Sequence, residues 1–253
     1  YALVIGYHNM GVVGVTIFFI PLLMLRISQN QYLSRTESMV LQLRAANNEL
    51  VKRSNEISAM NDGLILALSH VSDLRDPYVH GHAQHVARYA SLIAKELDLG
   101  EDRLEMIQQA ALLHDIGKIG IPENILFKPT RLTAEEYELM KQHAALGAAL
   151  VQEIDSLQHL APFIRYHHEH YNGKGYPDGF AADKIPIEAR ILGVADAVEA
   201  MASDRPYRQA RTASAILEEL RKYSGTQFDP QIVEAFTKVI KAQGDALIVN
   251  SAR

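Results

Sequence analysis

Histidine and aspartate carry the chemistry in this sequence. Of its 11 histidines, 10 fall between His70 and His170, and cysteine is absent. Thiolate chemistry, cysteine-ligated zinc and disulfides are thereby excluded. In ALLHDIGKIGIP, His114 and Asp115 stand at the end of an apolar helical pattern. A carboxylate there is costly unless it is paired or bound to a metal. Neighbouring helical positions diverge by about 100°, so both side chains can reach one small centre from its rim. Lys118 lies one turn beyond His114 and is expected on the same face. By itself a His-Asp pair says little. His82, however, opens the helix GHAQHVARYA, His143 sits mid-helix in LMKQHAALGAAL, and His167 and His168 follow LAPFIRY. Asp196 is embedded in the apolar run ILGVADAVEAMA. Five histidines and two aspartates on five helical segments need one explanation. Imidazole plus carboxylate without thiolate suits iron, manganese or zinc. One ion could not use all seven groups. Two ions sharing a carboxylate could, and such pairs clamp the attacking and leaving oxygens of a phosphoryl transfer.

The elements that must hold these groups are helical. From Asp76 onward, apolar residues recur at three and four in VARYASLIAKEL, EMIQQAALLH, EYELMKQHAALGAALVQEI, ARILGVADAVEAMA, AILEELRKY and PQIVEAFTKVI. Thr133 and Glu136 predict a capping box, and Asp229-Pro230 a cap followed by proline at the first helical position. No stretch alternates as a strand would. The Gly- and Pro-rich YNGKGYPDGFAADKIP is expected to be an ordered functional loop.

Upstream, residues 27–71 contain no Pro, and Gly63 is their sole Gly. A heptad places Leu33, Val40, Asn47, Ser54, Asn61 and Leu68 at a, and Thr36, Leu43, Leu50, Ile57, Leu64 and Val71 at d. Leu and Ile at d, with Asn at two a positions, suit a parallel two-stranded coiled coil. A single amphipathic helix lying on its own domain is the competing arrangement. The start of the chain is apolar, with 15 residues uninterrupted from Gly11 to Leu25, against roughly 20 for a spanning helix. A buried core helix and the last membrane segment of a longer protein both fit. Arg26, Arg35, Arg44, Lys52 and Arg53 favour the second and put the downstream chain in the cytoplasm. The chain opens on Tyr1 without Met, as a fragment or a processed protein would. The expected organisation is residues 1–26 as the end of a membrane region, 27–71 as a signalling helix and 72–253 as a catalytic domain.

Composition sets outer bounds. A chain of 253 residues, 48% apolar and 22% charged, can bury a full core without staples. With 25 Lys and Arg against 30 Asp and Glu, the net charge is -5, which disfavours duplex nucleic acid as a partner.

The motifs DPYVHGH, HDIGK, HHEHYNGKGYPDG, ADAVEAMASDRPYR and GTQFDP occur in that order between about Asp76 and Phe236. Together they resemble those of the HD-GYP phosphodiesterases, a subgroup of the HD phosphohydrolase superfamily that hydrolyses the bacterial messenger cyclic di-GMP. The resemblance implies an all-α fold: an HD-type helical bundle, here preceded by a coiled-coil-like helix and an apolar membrane segment. It implies two divalent metal ions, iron or manganese first and zinc as the alternative. His82, His114, Asp115 and Asp196 would hold one ion, and His143, His167 and His168 the other, with Asp115 bridging. Lys118 would sit near the scissile phosphate and share the catalytic role with Asp115. Arg205 and Arg208 would grip phosphate and guanine, as guanidinium forks do, and Tyr176 would line the substrate mouth.

The implied reaction is hydrolysis of cyclic di-GMP to linear pGpG, with GMP as a second product in some members. The implied partners are cyclic di-GMP, a second copy of the chain through residues 33–71, and diguanylate cyclases of the GGDEF type. The segment ending in PLLMLRIS resembles the final helix of membrane-anchored members. That implies the bacterial inner membrane, with the catalytic domain in the cytoplasm. The alternatives are a catalytically weak cyclic-dinucleotide sensor and a phosphohydrolase acting on another nucleotide. Three positions depart from the family pattern. Tyr78 replaces an acid one turn before the first histidine, which argues against a third metal. Asn172 replaces an Asp before the first Gly of the loop, and His85 stands where Arg is common. His80, His85 and His170 read as surface or supporting groups, and His70 and His159 as solvated. Glu169 either orients His168 or makes a loop salt bridge.

Overall fold

A computed structural model describes residues 2–74, 81–204, 209–244 and 246–249. Tyr78, Arg205 and Arg208 therefore lie outside the described residues. The chain divides into two units, Tyr1–Met60 and Asn61–Arg253. Helix α1 covers Ala2–Leu74. Its long glycine-free stretches and spaced charges favour helix, and Arg53 Nε donates to Glu49 at 2.9 Å one turn away. Every described side chain from residue 16 to 60 is exposed, including seam positions Leu43 and Leu50 at 65% and 66%. No helix, among the described residues, is long and apolar enough to cross a membrane. The membrane segment expected at residues 1–26 thus finds no support in the structure.

The second unit contains the last turns of α1 and then α2 (His82–Glu96), α3 (Glu101–Leu113), a 3-10 turn at Ile116–Gly120 and α4 (Glu123–Leu126). There follow α5 (Ala134–Gln152), α6 (Ala161–Tyr166), α7 (Ile187–Ala202), α8 (Ala213–Lys222), α9 (Pro230–Gln243) and α10 (Ala246–Val249). No strand occurs among the described residues; two isolated bridges, Asn172 with Ala181 and Ser224 with Phe228, pin loops. The all-helical expectation holds. The start signals also act as read: Glu136 N–H donates to Thr133 Oγ1 at 3.3 Å and Thr133 N–H to Glu136 Oε2 at 2.7 Å. Asp229 caps α9 by accepting from Gln231 N–H at 2.8 Å, ahead of Pro230.

Helix α7 runs through the core, with Ile191, Leu192, Val194, Ala195 and Val198 fully buried. Helix α2 packs on α3, α7 and α9, and α5 on the 3-10 turn and α6. Tyr89 of α2 meets Phe236 of α9 edge-on at 6.1 Å. Burying each such side chain contributes about 1.5–3 kcal/mol. Ile65 and Ser69 are buried, and Leu68 packs against the same core. Leu68 is therefore removed from any seam with a second chain. One turn further, Ser72 Oγ donates to the Asp115 carbonyl at 3.3 Å.

Candidate metal centre

The site is assembled by close backbone approaches. A Cβ at Gly117 would lie 1.9 Å from the His143 carbonyl oxygen. Only glycine lets the HDIGK turn sit on α5, and that contact sets Asp115 beside His143. On the other flank, a Cβ at Gly193 would lie 2.8 Å from the His167 carbonyl. Its absence brings α7, which carries Asp196, against the His167-His168 pair.

Helix α3 ends at Leu113, so His114 is its C-cap and Asp115 begins the tight turn. Lys118 follows a 3-10 path, and its face is set by Asp115: Lys118 Nζ lies 2.6 Å from Asp115 Oδ2. His114 Nε2 approaches the same Asp115 Oδ2 at 3.4 Å, so Lys118 and His114 converge on one carboxylate oxygen.

The seven expected ligands come together. His82, His114 and Asp115 form one group, and His143, His167 and His168 another, each with its donor atoms within 4.8 Å of one another. Asp115 joins them: Oδ2 lies 3.4 Å from His114 Nε2, while Oδ1 lies 3.5 Å from His143 Nε2. Asp196 Oδ1 lies 3.4 Å from His82 Nε2 and 4.0 Å from His114 Nε2. Donors about 2.1 Å from one ion sit about 3–3.5 Å apart when adjacent and about 4.2 Å apart when opposite, so these spacings fit. The orientation of the rings fits as well. Nδ1 of His114, His143 and His167 faces the carbonyl of Ala111, Met140 and Ile164, at 2.7, 2.8 and 2.6 Å. Donation there leaves Nε2 unprotonated and aimed at the centre. Nε2 of His143 and of His167 is buried without a hydrogen-bond partner. Two buried lone pairs left unmatched are costly; a cation satisfies both.

His82 differs: it is the first residue of α2, after Gly81 at the N-cap. Its Nδ1 pairs instead with the Glu199 carboxylate of α7. Glu199 is 4% exposed, and its other oxygen accepts from Ser203 Oγ at 2.6 Å. Glu199 is not among the residues that sequence reasoning singled out, although it lies three residues after Asp196 and so on the same helical face.

Charge follows this geometry. Burial disfavours a charge on His82, yet Asp196 and Glu199 outweigh it and raise its pKa to about 10. Burial pushes His167 well below its ordinary range, and His168 down to about 3, with the neighbouring histidines adding to the effect. Burial would raise Asp115, but Lys118 and the surrounding histidines hold it well below the usual carboxylate range.

The loop after His168 forms the rim. Glu169 Oε1 accepts from Asp178 and Gly179 N–H at 2.7 and 2.8 Å. It thus anchors the loop and does not orient His168. Arg165 grips Asp178 at 2.9 and 2.7 Å. The Tyr176 ring lies 4.9 Å from the His168 ring. His70 and His159 are exposed, and His85 and His170 half-buried.

The HD-domain family profile matches residues 67–232. The chain is 36% identical to a cyclic di-GMP phosphodiesterase response regulator of Xanthomonas campestris, over 86% of this chain and 56% of that one. It is 42% identical to a cyclic di-GMP phosphodiesterase of Thermotoga maritima, over 69% of this chain and 48% of that one. It thus spans about half the length of these relatives. The solved cyclic GMP-AMP specific phosphodiesterase of Vibrio cholerae matches with a TM-score of 0.58 at 19% identity, over 75% of this chain and 50% of that one, a likeness of fold.

Proposed function

The chain belongs to the HD-domain family, and on that premise we propose that it is a phosphodiesterase that hydrolyses cyclic di-GMP. The observation that carries this reading is Asp115, whose two oxygens face two separate histidine groups. His82, His114, Asp115 and Asp196 would hold one divalent ion, and His143, His167 and His168 the second, with Asp115 shared. Imidazole and carboxylate donors accept iron, manganese and zinc alike; iron and manganese are put first on the family resemblance alone. Bound there, two ions supply Lewis acidity to both the attacking and the leaving oxygen of a phosphodiester. Asp115 holds the two groups in register. Lys118, beside Asp115, brings a positive charge to where the phosphate oxygens gain charge. Tyr176, packed on the His168 ring, would line the substrate mouth. Arg205 and Arg208 are assigned to phosphate and guanine on their motif alone. The product is linear pGpG, with GMP after a second cleavage.

Two relatives named for cyclic di-GMP support this substrate. Relatives at 34% and 35% identity that are named as 3'3'-cGAMP-specific phosphodiesterases of Vibrio cholerae make a mixed dinucleotide the second reading. Purified protein loaded with manganese or iron and offered a panel of cyclic dinucleotides decides between them. Cyclic di-GMP should be cleaved fastest. Preference for a mixed dinucleotide would move the assignment there, and binding without turnover would make the protein a sensor. A parallel homodimer through the upstream helix belongs to the same reading, supported by the heptad, and diguanylate cyclase partners rest on the family resemblance alone. Location at the bacterial inner membrane rests on the apolar run from Gly11 to Leu25 and the basic residues after it.

A further inference from the structure

Beside the mouth, α5 carries two residues that the metal centre does not use. Tyr137 is 49% exposed, an unusual setting for an aromatic next to a buried polar site. Lys141 follows one turn later, with its ammonium 5.5 Å from the Tyr137 ring centre and 5.6 Å from that of Tyr176. The cation is thus flanked by two aromatic faces. Tyr176 in turn touches the ring of His168, so the group begins where the second histidine group ends. Exposed aromatic faces beside a cation have the chemistry of a nucleobase platform. Every base offers a π-face to stack on a ring, and guanine also offers O6 and N7 acceptors to an ammonium. Glu138 holds the ammonium at 2.6 Å from its own exposed position. It keeps the lysine near the rings while leaving its remaining donors to a ligand.

We propose that Tyr137 and Lys141, together with Tyr176, form a purine-binding subsite that receives one base of the cyclic dinucleotide while its phosphodiester lies at the metal centre. The subsite rests on the substrate class proposed above and adds to it the residues that read a base. Tyr137 supplies the stacking face and Lys141 the contact to the base edge. Base stacking on an aromatic changes binding by about five- to hundredfold.

The test compares two substrates in the metal-loaded protein: cyclic di-GMP, and bis(p-nitrophenyl) phosphate, a diester without a nucleobase. Tyr137→Ala should raise KM for cyclic di-GMP about tenfold with little change in kcat, while the base-free diester shifts by less than about twofold. Tyr137→Phe keeps the face and should restore the parent KM. Equilibrium binding of a non-hydrolysable phosphorothioate analogue is measured on the same proteins, and its Kd should rise in parallel for Tyr137→Ala. An unchanged KM and Kd in Tyr137→Ala would overturn the subsite, as would equal losses on both substrates or no recovery in Tyr137→Phe. If the parent binds the analogue through Tyr137 but does not cleave cyclic di-GMP, the subsite stands and the proposed hydrolysis falls.

Discussion

At the residue scale, Asp115 and Glu199 are expected to act differently on the proposed metal ions. Asp115 touches both histidine groups, so Asp115→Ala should empty both sites, whereas His114→Ala should mainly affect the first. Elemental analysis of the purified variants reads this directly, and full loading of Asp115→Ala would refute the shared carboxylate. Glu199 acts only through His82. Glu199→Gln keeps the shape but removes the charge that makes His82 a strong donor, and should weaken the first ion by about 10- to 100-fold. The second ion should hold as before. Protonation separates the sites as well. With a pKa raised to about 10, His82 is protonated at neutral pH in the metal-free protein and must release that proton to bind an ion. His168, lowered to about 3, and His167 are already neutral. Affinity at the first site should therefore fall about tenfold per pH unit as pH drops below 10. The second site should be flat across the same range. Calorimetric titration in two buffers of different ionisation enthalpy should show proton release with the first ion and none with the second. Equal release from both would contradict the assignment.

At the scale of elements, the site depends on how closely the HDIGK turn meets α5. Gly117→Ala places a methyl carbon within 1.9 Å of the His143 carbonyl and must push the turn away. Such overpacking costs about 1–3 kcal/mol or more, so Tm should fall and metal binding with it. Gly63 in α1 has nothing within 4 Å of an added Cβ. Gly63→Ala should raise stability by up to about 1 kcal/mol through helix propensity alone. Thermal melts of the two variants check the contrast. Helix periodicity made these elements legible, since apolar residues at three and four mark α2, α3, α5, α7, α8 and α9, and the caps of α5 and α9 stand in the sequence as Thr133 with Glu136 and Asp229-Pro230. The clustering of the seven histidine and aspartate groups was legible because buried imidazole and carboxylate demand a partner. Glu199 was not, because its role depends on His82 being the first residue of α2, and that is a fact of tertiary placement.

At the scale of the molecule, the upstream helix carries an apolar stripe that its own unit does not cover. Leu33, Leu43, Leu50 and Ile57 are all more than half exposed, an expensive state for four large apolar residues at heptad spacing. A second copy of the same helix matches that stripe in register, because Asn47 and Asn61 would then meet their own counterparts and satisfy each other's amides. The seam should end near Leu64, because Leu68 already packs against the core of the second unit. We therefore expect the protein to sediment as a dimer, and a chain beginning at Asn61 to sediment as a monomer that still hydrolyses substrate. That shorter chain retains every proposed ligand together with Ile65 and Ser69. A chain beginning at Gly81 loses those two buried residues and should melt at a lower temperature. Replacing both Asn47 and Asn61 by Ile should tighten association while admitting trimers or antiparallel pairs, since the register signal is gone. The absence of native cysteine makes Leu50→Cys a clean probe, as a parallel seam places two copies of position 50 face to face. Rapid oxidation of that variant to a covalent dimer is the expected result. A monomer at high micromolar concentration, with no cross-link at position 50, would remove the coiled coil and leave the stripe to some other partner.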